Sequence, residues 1–265
     1  MELMPTLFVS HGAPTFALEA GELGPRLTQL GQAMNRPQAV LVVSPHWMTH
    51  EARVTGAPML ETIHDFGGFD DALYELTYPA AGAPDVAAKV IEVLERAGWP
   101  AHLNERRGLD HGAWVPLRHL YPEANVPVIQ VSMPGSLDPV AAYAFGKALA
   151  PLRSQGVLIV GSGSLTHNLY EFRRASQDGD EQYAKEFADW MKETVTSRSH
   201  ERLLRTMDAA PHARRAHPTI EHLLPLMIAA GAAGADAPVR VLEGGITHGV
   251  LAMDSYAFGL AEEAA

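Results

Sequence analysis

The chain contains no cysteine. That excludes disulfides, thiolate metal sites, iron–sulfur clusters and cysteine nucleophiles, so any soft-ligand chemistry must come from histidine. Basic charge is also scarce, with 20 Lys and Arg against 31 Asp and Glu and a net charge of −11. No basic stripe interleaved with aromatics is present, which argues against a nucleic-acid or anionic-membrane surface and for a small-molecule partner. Apolar runs are short of the ~18 residues that a membrane span needs. Met1 to Val9 carries Glu2 and lacks the basic start of a signal peptide, so the expected location is cytoplasmic.

Hydrophobic residues make up 47% of the 265 and charged residues 19%, spread along the whole length. One domain spanning 1–265, with a substantial core, is the economical expectation. Strand-like runs recur at Thr6 to Val9, Ala39 to Val43, Val126 to Val131, Val157 to Val160 and Val239 to Leu242. Helical periodicity fills the intervals, with apolar faces in Asp85 to Ala97 and Asp138 to Leu152, a polar stretch over Asp180 to Thr196 and another at Ile220 to Ala230. The runs 39–43 and 157–160 are continuously apolar, as in strands covered on both faces. This pattern predicts an α/β fold with a central sheet sandwiched by helices. Gly56 to Ala83, rich in Gly and Pro with one short helical piece at Asp70 to Leu76, reads as a long functional loop; the alanine-rich tail, including Ala261 to Ala265, carries no functional signal.

Histidine is abundant, 13 residues. Ligands of open α/β sheets bind beyond the carboxyl ends of strands, and three histidines stand there: His11 in Ser10-His11-Gly12, His46 in Ser44-Pro45-His46-Trp47, and His167 after the run 157–160. Gly12 permits a sharp turn, and Pro45 stiffens the approach to His46. The three are expected to share one crevice. Gly161-Ser162-Gly163-Ser164 lacks a P-loop lysine and the spacing of a nucleophile elbow, so neither a phosphate cradle nor a serine nucleophile is favoured. In His217-Pro218-Thr219-Ile220-Glu221-His222, Pro218 suits a first helical position and places His222 one turn into a helix. The five-residue gap keeps His217 and His222 off a common face, so at most one reaches the site. His50, His102, His119, His200 and His212 lie in unpatterned surroundings and are expected at the surface.

These segments, with His64-Asp65-Phe66-Gly67-Gly68-Phe69 and Asp110-His111-Gly112, together resemble the DOPA-dioxygenase-like branch of the LigB-type (class III) extradiol ring-cleavage dioxygenases. Six ordered motifs cover nearly the whole chain. The resemblance implies a mixed, largely parallel sheet with the site at strand carboxyl ends, and cleavage of a substituted catechol by dioxygen. It implies one divalent metal held by His11, His46 and His222, with His167 as acid/base. His111 would line the substrate pocket together with His64, Asp110 and Trp114. Fe(II) is the metal that ring cleavage requires, whereas three histidines are also a set typical of catalytic zinc, and Glu221 offers a substitute ligand. The alternatives are a zinc-dependent lyase or hydrolase on a phenolic compound, or a metal-binding protein without turnover. The oligomeric state stays open.

Overall fold

The computed structural model describes residues 3–172 and 181–260. Asp180, the expected start of one helix, and Ala261 to Ala265 lie outside them. In chain order the strands are β1 Thr6–Ser10, β2 Ala39–Thr49, β3 Ala52–Thr55, β4 Ala101–Asn104, β5 Val128–Pro134, β6 Val157–Gly163, β7 Val239–Leu242, β8 Ile246–Thr247, β9 Leu251–Ala252 and β10 Ser255–Phe258. Eight of them form one sheet in the order β4-β3-β5-β2-β6-β1-β10-β7, and β8 and β9 form a separate hairpin.

The four central strands β5, β2, β6 and β1 are mutually parallel. The antiparallel pairings are β3 with β5 and β10 with both β1 and β7, so the sheet is mixed and largely parallel. Its middle is as apolar as its sequence: Val40 to Val43 and Leu158 to Ile159 are fully buried. Each such side chain removed from water contributes roughly 1.5–3 kcal/mol.

β2 runs six residues further than its apolar core. After Ser44 it pairs with Ser132 of β5, and the next pair is Met48 with Met133, so Pro45, His46 and Trp47 are extra residues in β2. Pro45 has no N–H to give the ladder, and the resulting bulge re-aims the following side chain. The expected strand end at Val43 is thus a bulge inside a longer strand.

Helices cover both faces. Pro84–Arg96, Pro139–Leu149 and Gln182–Thr196 fall close to the periodic segments, and His111–Leu120 is a further helix. The helix expected from Ile220 instead begins at Leu224, with Pro225 in its first turn. His222 therefore precedes this helix rather than sitting one turn inside it. Leu224–Ala233 is buried nearly all round, and it lies on β6 because a Cβ at Gly161 or Gly163 would strike the carbonyls of Pro225 and His222. Those glycines set the main chain of His222 against the strand, which the hydrogen bond from Ser164 N to His222 O, 2.9 Å, makes firm. Among the described residues no helix is long and apolar enough to cross a membrane.

Candidate metal centre

His11 follows β1 directly, and its own N–H still bonds Gly163 O at 2.8 Å. Gly12 then turns the chain at φ +60°, a left-handed conformation that costs glycine nothing. The His11 ring is 1% exposed. Its Nδ1 lies 2.9 Å from Ser162 Oγ, and the Ser162 hydroxyl donates to Gly112 O. With that single hydroxyl proton committed, Ser162 can only accept from His11. The tautomer is thereby set: Nδ1 carries the proton and Nε2 offers a lone pair.

His46, thrown inward by the β2 bulge, places its Nε2 3.2 Å from His11 Nε2. The close approach of the helix His111–Leu120 depends on Gly112, where a Cβ would stand 2.9 Å from His46 Cδ2. Arg107 lies over the Trp47 ring at 5.2 Å and donates to His46 O at 3.3 Å, bracing the bulge from outside. His222 completes a triangle, its ring centroid 5.5 Å from that of His11 and 5.1 Å from that of His46. Its Nδ1 faces Glu221 Oε1 at 3.3 Å, while its Nε2 is buried with no hydrogen-bond partner.

One nitrogen from each of His11, His46 and His222 lies within 4.8 Å of the other two. The orphaned buried Nε2 of His222 is unfavourable unless a cation takes up its lone pair, and the facing Nε2 atoms of His11 and His46 point to the same place. Three such imidazoles fit a divalent metal of borderline softness. Burial, reinforced by mutual repulsion among neighbouring imidazolium forms, holds His11 and His222 well below the usual histidine range. Burial and His111 likewise bring His46 down to about 3 against the pull of Asp65. All three imidazoles are therefore neutral, as metal binding would require.

His111 opens its helix, and its ring centroid lies 4.0 Å from that of His46. Asp65, on the loop 56–83, receives the His111 N–H at 2.8 Å and approaches His111 Nδ1 at 3.0 Å and His46 Nδ1 at 3.7 Å. Burial alone would raise the Asp65 carboxyl; the hydrogen bonds and charge of His111 outweigh it and hold it at about 2. His167 stacks on His222 with centroids 3.4 Å apart. Burial and His217 lower it to about 4, against an opposing pull from Glu221. A nitrogen of His167, a Glu221 oxygen and a nitrogen of His222 also lie within 4.8 Å of one another.

Beside this cluster lies a cavity of about 160 Å³. His46, His111 and His167 line it, and Phe66, Phe69, Leu169, Phe172 and Leu251 supply most of the remaining wall. The other residues named from the sequence stand back from it. His64 bonds Leu76 O at 2.9 Å and packs edge-on against Phe66 and Trp114, pinning the loop rather than facing the cavity. Trp114 is fully buried and donates its indole N–H to Ile63 O at 3.0 Å. Asp110 is buried, caps the helix through Ala113 N and bonds Gln130 and Arg107; its carboxyl is raised by burial.

Ser162 and Ser164 are fully buried and occupied with main-chain carbonyls, which leaves them no role as nucleophiles. His217 is buried and bonded to Leu165 O at 2.9 Å, and it is not part of the His11, His46 and His222 triangle. His119, expected at the surface, is half-buried and bonded to Phe16 O at 2.8 Å, and His200 is half-buried beside Tyr143. Sequence reasoning did not single out Asp65, Phe66, Phe69 or Phe172 as site residues, and it weighed Ser162 only as a nucleophile or phosphate contact, not as the partner of His11. Asp65, Phe66 and Phe69 lay inside a motif already noticed, which was the available signal.

Residues 6–259 match the family model for the catalytic LigB subunit of aromatic ring-opening dioxygenase. The chain is 37% identical to the 4,5-DOPA dioxygenase extradiol of Beta vulgaris, over 96% of each chain. It is 36% identical to the protein of the same name from Escherichia coli K12, over 97% of this chain and 95% of that one. The crystal structure of uncharacterized protein JW3007 from Escherichia coli K12 superposes with a TM-score of 0.78 at 32% identity, covering 97% of this chain and all of the other. With the histidine triangle, the mixed sheet and these full-length likenesses agreeing, the chain belongs to the LigB family of extradiol aromatic ring-opening dioxygenases.

Proposed function

We propose that this metal-dependent dioxygenase opens the ring of a substituted catechol with Fe(II) held by His11, His46 and His222. The observation that carries the reading is the convergence of three neutral imidazoles, one of which, His46, opens onto a phenylalanine-walled cavity that His111 and His167 also line. When bound, a redox-active divalent metal would acidify the catechol and allow electrons to pass to dioxygen, which zinc, having no accessible redox change, does not do.

The chain's own residues account for the rest. Phe66, Phe69 and Phe172 offer flat apolar surface to an aromatic ring and exclude water from it. His167 presents an imidazole on the cavity wall, placed to accept the second hydroxyl proton and return one to the opened product. His111, held from behind by Asp65, directs its remaining nitrogen at the same space. The relatives named as 4,5-DOPA dioxygenases make a 3,4-dihydroxyphenyl compound the first substrate to try.

Anaerobic reconstitution with Fe(II), followed by oxygen uptake on a panel of catechols that includes DOPA, tests the activity. Rapid uptake with a yellow ring-opened product is expected from Fe(II) protein and none from Zn(II) protein. Alanine at His11, His46 or His222 should lower metal content well below one per chain without unfolding the protein. Full metal retention in all three variants would remove the ligand assignment.

A further inference from the structure

Asp65 is a carboxylate that stands beside both a proposed metal ligand, His46, and a cavity histidine, His111. Its Oδ1 receives the main-chain N–H of His111 at 2.8 Å and lies 3.0 Å from His111 Nδ1; its Oδ2 stands 3.7 Å from His46 Nδ1. Its side chain is only 21% exposed. The His111–Leu120 helix already has a cap in Asp110, whose side chain accepts from Ala113 N. A second carboxylate at that end is therefore not needed to start the helix.

Each imidazole it faces has one nitrogen toward Asp65 and the other toward the site. For His46 the far atom is the Nε2 that meets His11 Nε2. For His111 the Nδ1 is buried without an aligned hydrogen bond among the described residues, and Asp65 Oδ1 stands 3.0 Å from it. A carboxylate behind an imidazole keeps the proton on the near nitrogen, orients the ring and makes the far nitrogen a better donor of its lone pair.

We infer that Asp65 is a positioning residue that holds His46 and His111 with their protons on Nδ1, so that one loop carboxylate aligns a metal ligand and a substrate-facing imidazole together. The inference rests on the metal-site reading above. Asp65 belongs to the loop 56–83 that also supplies Phe66 and Phe69 to the wall. One loop therefore supplies both the carboxylate behind the two rings and part of the aromatic wall.

Asp65→Asn separates this role from a structural one, because an amide oxygen still accepts the His111 main-chain N–H but an amide cannot stabilise a proton on either Nδ1 as a carboxylate does. Three measurements are compared between wild type and variant: thermal midpoint without metal, affinity for Zn(II) by chelator competition, and ¹⁵N chemical shifts of the histidine rings. The variant should keep its midpoint, lose about 10–100-fold in metal affinity and show the His111 ring no longer protonated chiefly at Nδ1. Wild-type affinity and an unchanged His111 tautomer in Asp65→Asn would overturn the inference. Failure of the wild-type protein to take up one metal per chain would instead overturn the metal-site reading beneath it. Asp65→Glu, which restores the charge, should recover part of the affinity, and recovery no better than in Asp65→Ala counts against the proposal.

Discussion

At the scale of single residues, the division of labour among five clustered imidazoles follows from what stands behind each ring. His11 is backed by Ser162, His46 and His111 by Asp65, and His222 by Glu221. His167 stacks on the face of His222 and has Glu221 nearby, but among the described residues it forms no ion pair with a carboxylate, and such a ring suits the transient gain and loss of a proton. His167→Gln should therefore keep metal and catechol binding while lowering turnover by ~10²–10⁴. Metal content with single-turnover rates checks this, and loss of metal would make His167 a fourth ligand instead. The motif histidines were legible because each follows a strand or sits in a short recognisable pattern. Their partners were less so: Ser162 meets His11 across 151 residues of sequence, a pairing that only the register of β1 on β6 creates.

Elements account for the errors of boundary. Pro45 reads as a strand stop, yet β2 resumes at Met48 against β5, because a bulge absorbs the residue that cannot donate to the ladder. The four-residue strands β3, β4 and β10 carry too few β-branched or alternating positions to announce themselves; neighbouring strands recruit them. Two prolines, Pro218 and Pro225, each suit a helix start, and the packing of Gly161 and Gly163 against the second decides between them. The same logic of close approach yields a test at Gly112. A methyl group there would press on Ser44 and on His46 Cδ2, with the helix above and β2 below unable to yield freely. Gly112→Ala should cost about 1–3 kcal/mol of stability and reduce metal content, read from urea unfolding and metal analysis. An unperturbed variant would show that the helix can lift without disturbing His46.

For the whole molecule, the buried imidazoles couple folding to acidity. His217 is 1% exposed and, held by burial against the pull of Leu165 O and Glu221, titrates near about 4 instead of 6.5. Its folded value is depressed, so between these limits the unfolded chain binds the extra proton and stability rises with pH. The contribution is complete above pH ~6.5 and lost as pH falls towards 4, amounting to about 3 kcal/mol for a shift of this size. Metal-free protein should accordingly weaken steeply over that window, and His217→Asn should flatten the slope measured by urea titration at several pH values. An equal slope in the variant would assign the effect to the other buried histidines.

The placement of β1 carries a further consequence, for the order in which the protein is made. β1 leads directly into His11, the first of the three proposed ligands, yet it lies inside the sheet between β6 and β10. Its parallel neighbour begins at Val157, about 150 residues later, which at ribosomal speeds is on the order of 10–30 s of synthesis. Through that interval Leu7, Phe8 and Val9, all buried in the finished fold, have neither flanking strand to pair with. His222, the last of the triad, emerges later still. A nascent chain can therefore display one or two of these imidazoles early but cannot close the triangle until the sheet is nearly whole, so metal uptake follows completion of the fold.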